Sequence, residues 1–166
     1  MTELQPPDSH FLSAASGWLG LGDPVEAEAE LDQINQKFRS HPQVLEVKWA
    51  IYAEEDKWER CIEVARELTK SAPKDSFGWI HLSFALHELK RTREAYDNLE
   101  AVLKKFPKEW LLSYNLACYA CQLGDLEDAG KWLAGAIVKK GDEKSITRMA
   151  AKDPDLAPLF TEEKEL

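Results

Sequence analysis

Cys118 and Cys121, within "YNLACYACQLGDLEDAGKWL" (residues 114–133), form the only C-x-x-C of the sequence. Two thiolates at that spacing supply half of a tetrahedral zinc site, or a redox pair. A structural zinc needs four ligands, and the further donor that spacing brings near is His87, 34 residues before Cys121. A fourth is not evident. The redox reading asks for a thiolate stabilised by a helix N-terminus or a neighbouring cation, and Cys118 has no adjacent Lys or Arg. The third reading treats both cysteines as small polarizable side chains on a packed helix, and it is the one carried forward. Cys118, Cys121 and His87 stay as metal candidates, with no metal and no cofactor expected.

Other chemistry-bearing residues make no recognisable set. His10, His41, His81 and His87 show no H-E-x-x-H spacing, and no Ser, His and acid follow a triad motif. Gly17, Gly20 and Gly22 do not form G-x-G-x-x-G and follow a helical pattern instead of a strand. The expectation is a protein that is not an enzyme. A net charge of −9, with acidic ends and a balanced middle, opposes nucleic acid and anionic membranes as partners, since both select a basic face. Three cysteines, the lack of a basic-then-apolar leader and the lack of a long apolar run read as a cytoplasmic chain with free thiols.

The elements that position these residues come from an internal period. Ala27, Cys61, Ala95 and Ala129 lie 34 residues apart, each followed four residues later by Leu31, Ala65, Leu99 or Leu133. Upstream, the same spacing aligns Phe11, Leu45, Trp79 and Ser113, then Ala15, Trp49, Ser83 and Ala117, then Trp18, Tyr52, Leu86 and Ala120. Within each copy apolar residues recur three or four apart, which is helical, and a turn separates two such runs. The first helices are expected over 9–20, 43–54, 76–89 and 109–122, and the second over 24–39, 57–70, 92–105 and 126–139. Trp18, Trp49 and Trp79 are expected in the core.

This pattern resembles the tetratricopeptide repeat, a 34-residue helical hairpin carrying Trp-x-x-Leu-Gly-x-x-Tyr, then Ala, an aromatic or Leu, and Pro. The third copy matches through Trp79, Leu82, Ser83, Leu86, Ala95, Leu99 and Pro107, and the fourth through Leu116, Ala117, Gly124-Asp125, Ala129 and Leu133. The second departs, with Glu55-Asp56 where the family prefers a glycine turn. The resulting expectation is an all-α, tetratricopeptide-type superhelix of about four antiparallel helix pairs plus a C-terminal capping helix. Residues 1–8 form an N-terminal extension, 9–140 the four repeats, and 141–166 a capping helix and acidic tail.

The resemblance implies a non-enzymatic interaction scaffold, because in this family the stacked first helices line a concave groove that binds peptides. Projecting those helices at three- and four-residue spacing selects Phe77, Ile80, His81, Phe84, Leu111, Tyr114, Asn115, Cys118 and Gln122 as the partner-binding groove. Such a lining suits a protein or peptide with apolar anchor residues, held extended or as a helix. The alternative reading of the aromatic residues is that they cover one another or the terminal helix. Repeats that clamp the acidic tails of heat-shock chaperones need basic side chains here, and Glu46, Glu54 and Glu88 would repel a carboxylate. A secretion-type chaperone for hydrophobic segments, a metal-binding protein and a self-associating homo-oligomer are the other readings.

Overall fold

The residue at the turn of each hairpin takes the same unusual backbone shape with the 34-residue period. Gly22, Asp56, Lys90 and Gly124 have φ of 78°, 54°, 62° and 85°, the left-handed region that reverses the chain after a helix. Glycine fills two of these positions at no steric cost, and Asp and Lys fill the other two. Asp23 and Asp125 then start the second helix of their hairpins by accepting the amide protons of Glu26 and Asp128. A Leu-Gly-Asp turn thus ends one helix and caps the next with consecutive residues.

The computed structural model describes residues 3–161. Helices follow one another as α1 (Asp8–Gly20), α2 (Pro24–Gln33), α3 (Pro42–Glu54), α4 (Trp58–Ser71), α5 (Phe77–Glu88), α6 (Thr92–Glu100), α7 (Trp110–Gln122), α8 (Leu126–Lys140), α9 (Glu143–Ala150) and α10 (Ala157–Thr161), with short 3-10 turns at Gln36–Phe38 and Pro154–Leu156. No strand occurs among the described residues. The chain divides into two compact units, Met1–Ala85 and Leu86–Leu166, and the boundary falls inside α5.

In the first unit α1 packs on α2 and α3, and α3 packs on α4. Its core holds Ala15, Ala27, Leu31, Ile34, Leu45, Ile51, Cys61, Ala65 and Leu68. Cys61 is fully buried there, and its thiol faces the Trp49 carbonyl at 3.7 Å. Gly78 lies so close to α4 that a Cβ would come within 2.8 Å of the Thr69 amide nitrogen and 3.0 Å of Leu68 Cβ. Only a residue without a side chain permits that approach.

In the second unit α7 is the central element. It packs on α6, α8 and the Pro154–Leu156 turn, while α9 and α10 lie against α8. Leu99, Leu112, Leu116, Ala117, Ala136, Ile146 and Leu156 fill the core. The C-terminal elements contribute to this core, Ile146 from α9 and Leu156 from the Pro154–Leu156 turn. Of the capping helix and acidic tail expected over 141–166, residues 162–166 lie outside the described range.

Three sequence expectations need correction. The second helix of the first copy, expected over 24–39, ends at Gln33: Ile34 turns extended, and Asp8 Oδ1 accepts the Asn35 amide proton at 2.7 Å, an acceptor 27 residues away in sequence. The second helix of the third copy, expected over 92–105, ends at Glu100 and tightens into three-residue turns at Val102, Leu103 and Lys105 ahead of Pro107. Trp18, expected in the core, is 38% exposed. Its 34-residue counterparts Tyr52, Leu86 and Ala120 are buried, so shared register does not ensure shared cover.

Candidate partner-binding faces

The nine groove residues fall into the two units, with Phe77, Ile80, His81 and Phe84 in the first and Leu111, Tyr114, Asn115, Cys118 and Gln122 in the second. In the first unit α3 presents Trp49, and α5 lays His81 flat on it, with ring centroids 3.9 Å apart and planes within 10°. Phe77 meets the His81 ring edge-on at 3.7 Å. Phe84 meets Trp49 at 6.1 Å and Trp58, in the first turn of α4, at 5.8 Å, both edge-on. The two Phe84 contacts match the T-shaped arrangement that aromatic quadrupoles prefer.

Burial in this cluster lowers the His81 pKa from 6.5 to about 4, so the ring is neutral at pH 7. Its neutrality removes a charge from an otherwise apolar face. Ile80 is 7% exposed and belongs to the core more than to a lining, whereas Phe84 leaves 40% of its surface to solvent. Trp49 and Trp58 were not among the groove residues selected from the sequence. A tryptophan at a packing column and another opening a second helix carry no spacing that announces a shared cluster with Phe84.

In the second unit the α7 face is covered by the chain itself. Tyr114 donates its hydroxyl proton to Asp153 Oδ2 at 2.8 Å, and the Cys118 thiol faces the same oxygen at 3.7 Å. Gln122 Nε2 donates to the Asp155 carbonyl at 2.9 Å. His87 Nε2 lies 3.1 Å from Asp155 Oδ2, and since a carboxylate only accepts, that nitrogen carries the proton. His87 Nδ1 lies 3.0 Å from the Thr92 hydroxyl. Leu111 and Asn115 are half-buried on the same helix.

Burial, reinforced by Asp153, pushes the Cys118 thiol well up, and burial likewise raises the Cys121 thiol. Burial raises Cys61 to about 12. Both effects favour the thiol over the thiolate that metal binding or exchange requires. Among the described residues no three His, Cys, Asp or Glu side chains are grouped to hold a metal ion, and both His87 ring nitrogens face oxygen partners from this chain. Cys118 and Cys121 are buried free cysteines, and Asp153 of the C-terminal segment lies against the Cys118 thiol.

An aspartate ahead of a proline, as in Asp153-Pro154, is a local start signal for a short helical turn. Asp153 acts in this way, with Oδ1 accepting the Asp155 amide proton at 3.0 Å. Its second oxygen is what reaches Tyr114. Two carboxylates two residues apart beside a proline were the available signal, but a local role accounted for them completely.

The pairing of helices, the 34-residue recurrence of the left-handed turn and the buried Ala27, Cys61, Ala95 and Ala129 column together decide the architecture. The fold is of the tetratricopeptide type. Among solved structures of tetratricopeptide proteins, MamA from Desulfovibrio magneticus RS-1 (residues 41 to the end) is similar with a TM-score of 0.70 and 20% identity, over 99% of this chain and 97% of that one. PilF of Pseudomonas aeruginosa is similar with a TM-score of 0.74 and 18% identity, over 95% of this chain and 69% of that one. The TPR2AB domain of yeast Sti1, solved in complex with pHSP90, is similar with a TM-score of 0.62 and 14% identity, over 92% of this chain and 69% of that one. No protein-family model and no curated protein matches the sequence. Among the described residues no helix of this tetratricopeptide fold is long and apolar enough to cross a membrane.

Proposed function

We propose that this protein is a non-enzymatic interaction module that holds a peptide or a partner helix against the first helices of its hairpins. The observation that carries the reading is Phe84, an aromatic side chain 40% exposed yet held from two sides by Trp49 and Trp58. A ring whose rotamer is set before binding loses little entropy when an apolar anchor covers it. His81, neutral on Trp49, keeps the neighbouring surface free of a buried charge. The Sti1 complex supports a protein-binding use of this fold, and Phe77, His81 and Phe84 are the contacts assigned to the first unit.

The partner fitted to this surface carries Leu, Met or aromatic anchors, for which edge-on aromatic faces provide area and shape. Short peptides with such anchors, displayed on an array, test it. Phe84→Ala is expected to weaken those that the wild type binds by roughly 30-fold, the cost of removing an aromatic hot spot, with an unchanged circular dichroism spectrum. Equal binding by wild type and Phe84→Ala would remove the reading. Sedimentation of both proteins over a concentration series separates a peptide partner from a second copy of the chain.

A further inference from the structure

The α7 face is already organised around a peptide segment, and three of that segment's polar contacts have a defined donor and acceptor. Asp153 Oδ2 takes the Tyr114 hydroxyl at 2.8 Å, Asp155 Oδ2 takes His87 Nε2 at 3.1 Å, and the Asp155 carbonyl takes Gln122 Nε2 at 2.9 Å. Leu156 follows with no exposed surface. Pro154 holds the two aspartates in a 3-10 turn, which aims both carboxylates at the same face. The arrangement is a side-chain-to-backbone and side-chain-to-carboxylate recognition pattern of the kind that reads a short linear motif.

We propose that this face is a receptor for segments of the form Asp-x-Asp-Leu, filled in cis by Asp153–Leu156, and that a partner segment of that chemistry binds by displacing the chain's own. The proposal rests on the interaction-module reading and names the partner class for the second unit. Its donors are the Tyr114 hydroxyl, the Gln122 amide and His87 Nε2, whose ring places its other nitrogen against Thr92. Aspartate is the side chain that fits, because Asp153 accepts from its own turn with one oxygen and from Tyr114 with the other.

Being tethered, the cis segment competes at an effective concentration of the order of millimolar, so the wild-type chain is expected to bind a free segment weakly. The test uses the full chain and a labelled synthetic peptide of residues 152–161. Asp153→Asn/Asp155→Asn weakens the cis segment while leaving the receptor residues untouched, and is expected to bind the peptide at least about ten-fold more tightly than the wild type does. Adding Tyr114→Phe to this variant, or replacing both aspartates of the peptide by Asn, is expected to remove that gain. Asp155→Asn alone, which keeps the Asp153 cap and the Tyr114 contact, gives a smaller gain and serves if the double variant does not fold.

An opened variant that binds the peptide no better than the wild type, or binds the Asp and Asn peptides alike, overturns the proposal. Val25→Ala serves as the control because Val25 is a 68% exposed side chain on α2, outside both faces, and it is expected to leave binding of the 152–161 peptide unchanged. If Phe84-dependent capture holds and the opened variant binds nothing, the receptor for Asp-x-Asp-Leu fails while the interaction-module reading stands. If the peptide binds and Phe84→Ala changes no capture, the first-unit surface fails instead.

Discussion

At pH 7 the His81 imidazole stacks on Trp49 without a proton to spare, because burial lowers its pKa from 6.5 to about 4. In the unfolded chain the same ring takes up a proton near pH 6.5. Between pH 6.5 and about 4 the unfolded state therefore binds more protons, so this contribution to stability is complete above pH 6.5 and is lost as the pH falls. The loss reaches on the order of 3 kcal/mol near pH 4. Urea unfolding at pH 7 and pH 4.5 measures it: His81→Phe, which keeps the aromatic contact, is expected to lose less stability on acidification than the wild type. Parallel losses would show that the ring is not carrying the effect. The same residue scale explains the cysteines, whose spacing suggests a metal pair while their burial and Asp153 hold them as thiols.

At the scale of the helical hairpin, the turn decides where one helix stops and the next begins. Lys90 occupies the left-handed position at φ 62°, where a Cβ costs about 1–2 kcal/mol and a glycine does not pay it. Part of that gain is offset by the flexibility glycine adds to the unfolded chain, about 0.5–1 kcal/mol. Lys90→Gly is thus expected to stabilise the protein by about 0.5–1 kcal/mol, read as a higher urea midpoint at unchanged slope. Gly124→Ala, the reverse change at the equivalent turn, is expected to lower it. The first helices were legible within a residue of their ends, as Asp8–Gly20, Pro42–Glu54, Phe77–Glu88 and Trp110–Gln122 show against 9–20, 43–54, 76–89 and 109–122. The end of α2 was not, because the acceptor for the Asn35 amide is Asp8 from the start of another helix.

For the molecule as a whole, the terminal segment is both a covering and a structural member of the second unit. Leu156 is fully buried in a 3-10 turn that packs on α7, so the segment is fastened by apolar contact as well as by its aspartates. Leu156→Ala is expected to cost about 2–5 kcal/mol in urea unfolding, the range for a core leucine. It is also expected to speed amide exchange in residues 153–161, which mass spectrometry of peptic fragments follows. Normal exchange in that segment would mean that the aspartate contacts alone retain it.

The sequence by itself determined the all-α repeat architecture, since a 34-residue recurrence of small and apolar columns permits few other ways to bury them. It also determined the left-handed turns at Gly22 and Gly124, because a Leu-Gly-Asp triplet answers two local backbone demands at once. Local pattern could not say what faces a helix from far along the chain. Only the tertiary structure decided that Tyr114, Cys118 and Gln122 meet Asp153–Leu156, that Phe84 rests between Trp49 and Trp58, and that Gly78 touches α4. The physical reason is common to all three: periodicity specifies which side of a helix is apolar, whereas the occupant of that side is chosen by contacts between residues remote in sequence.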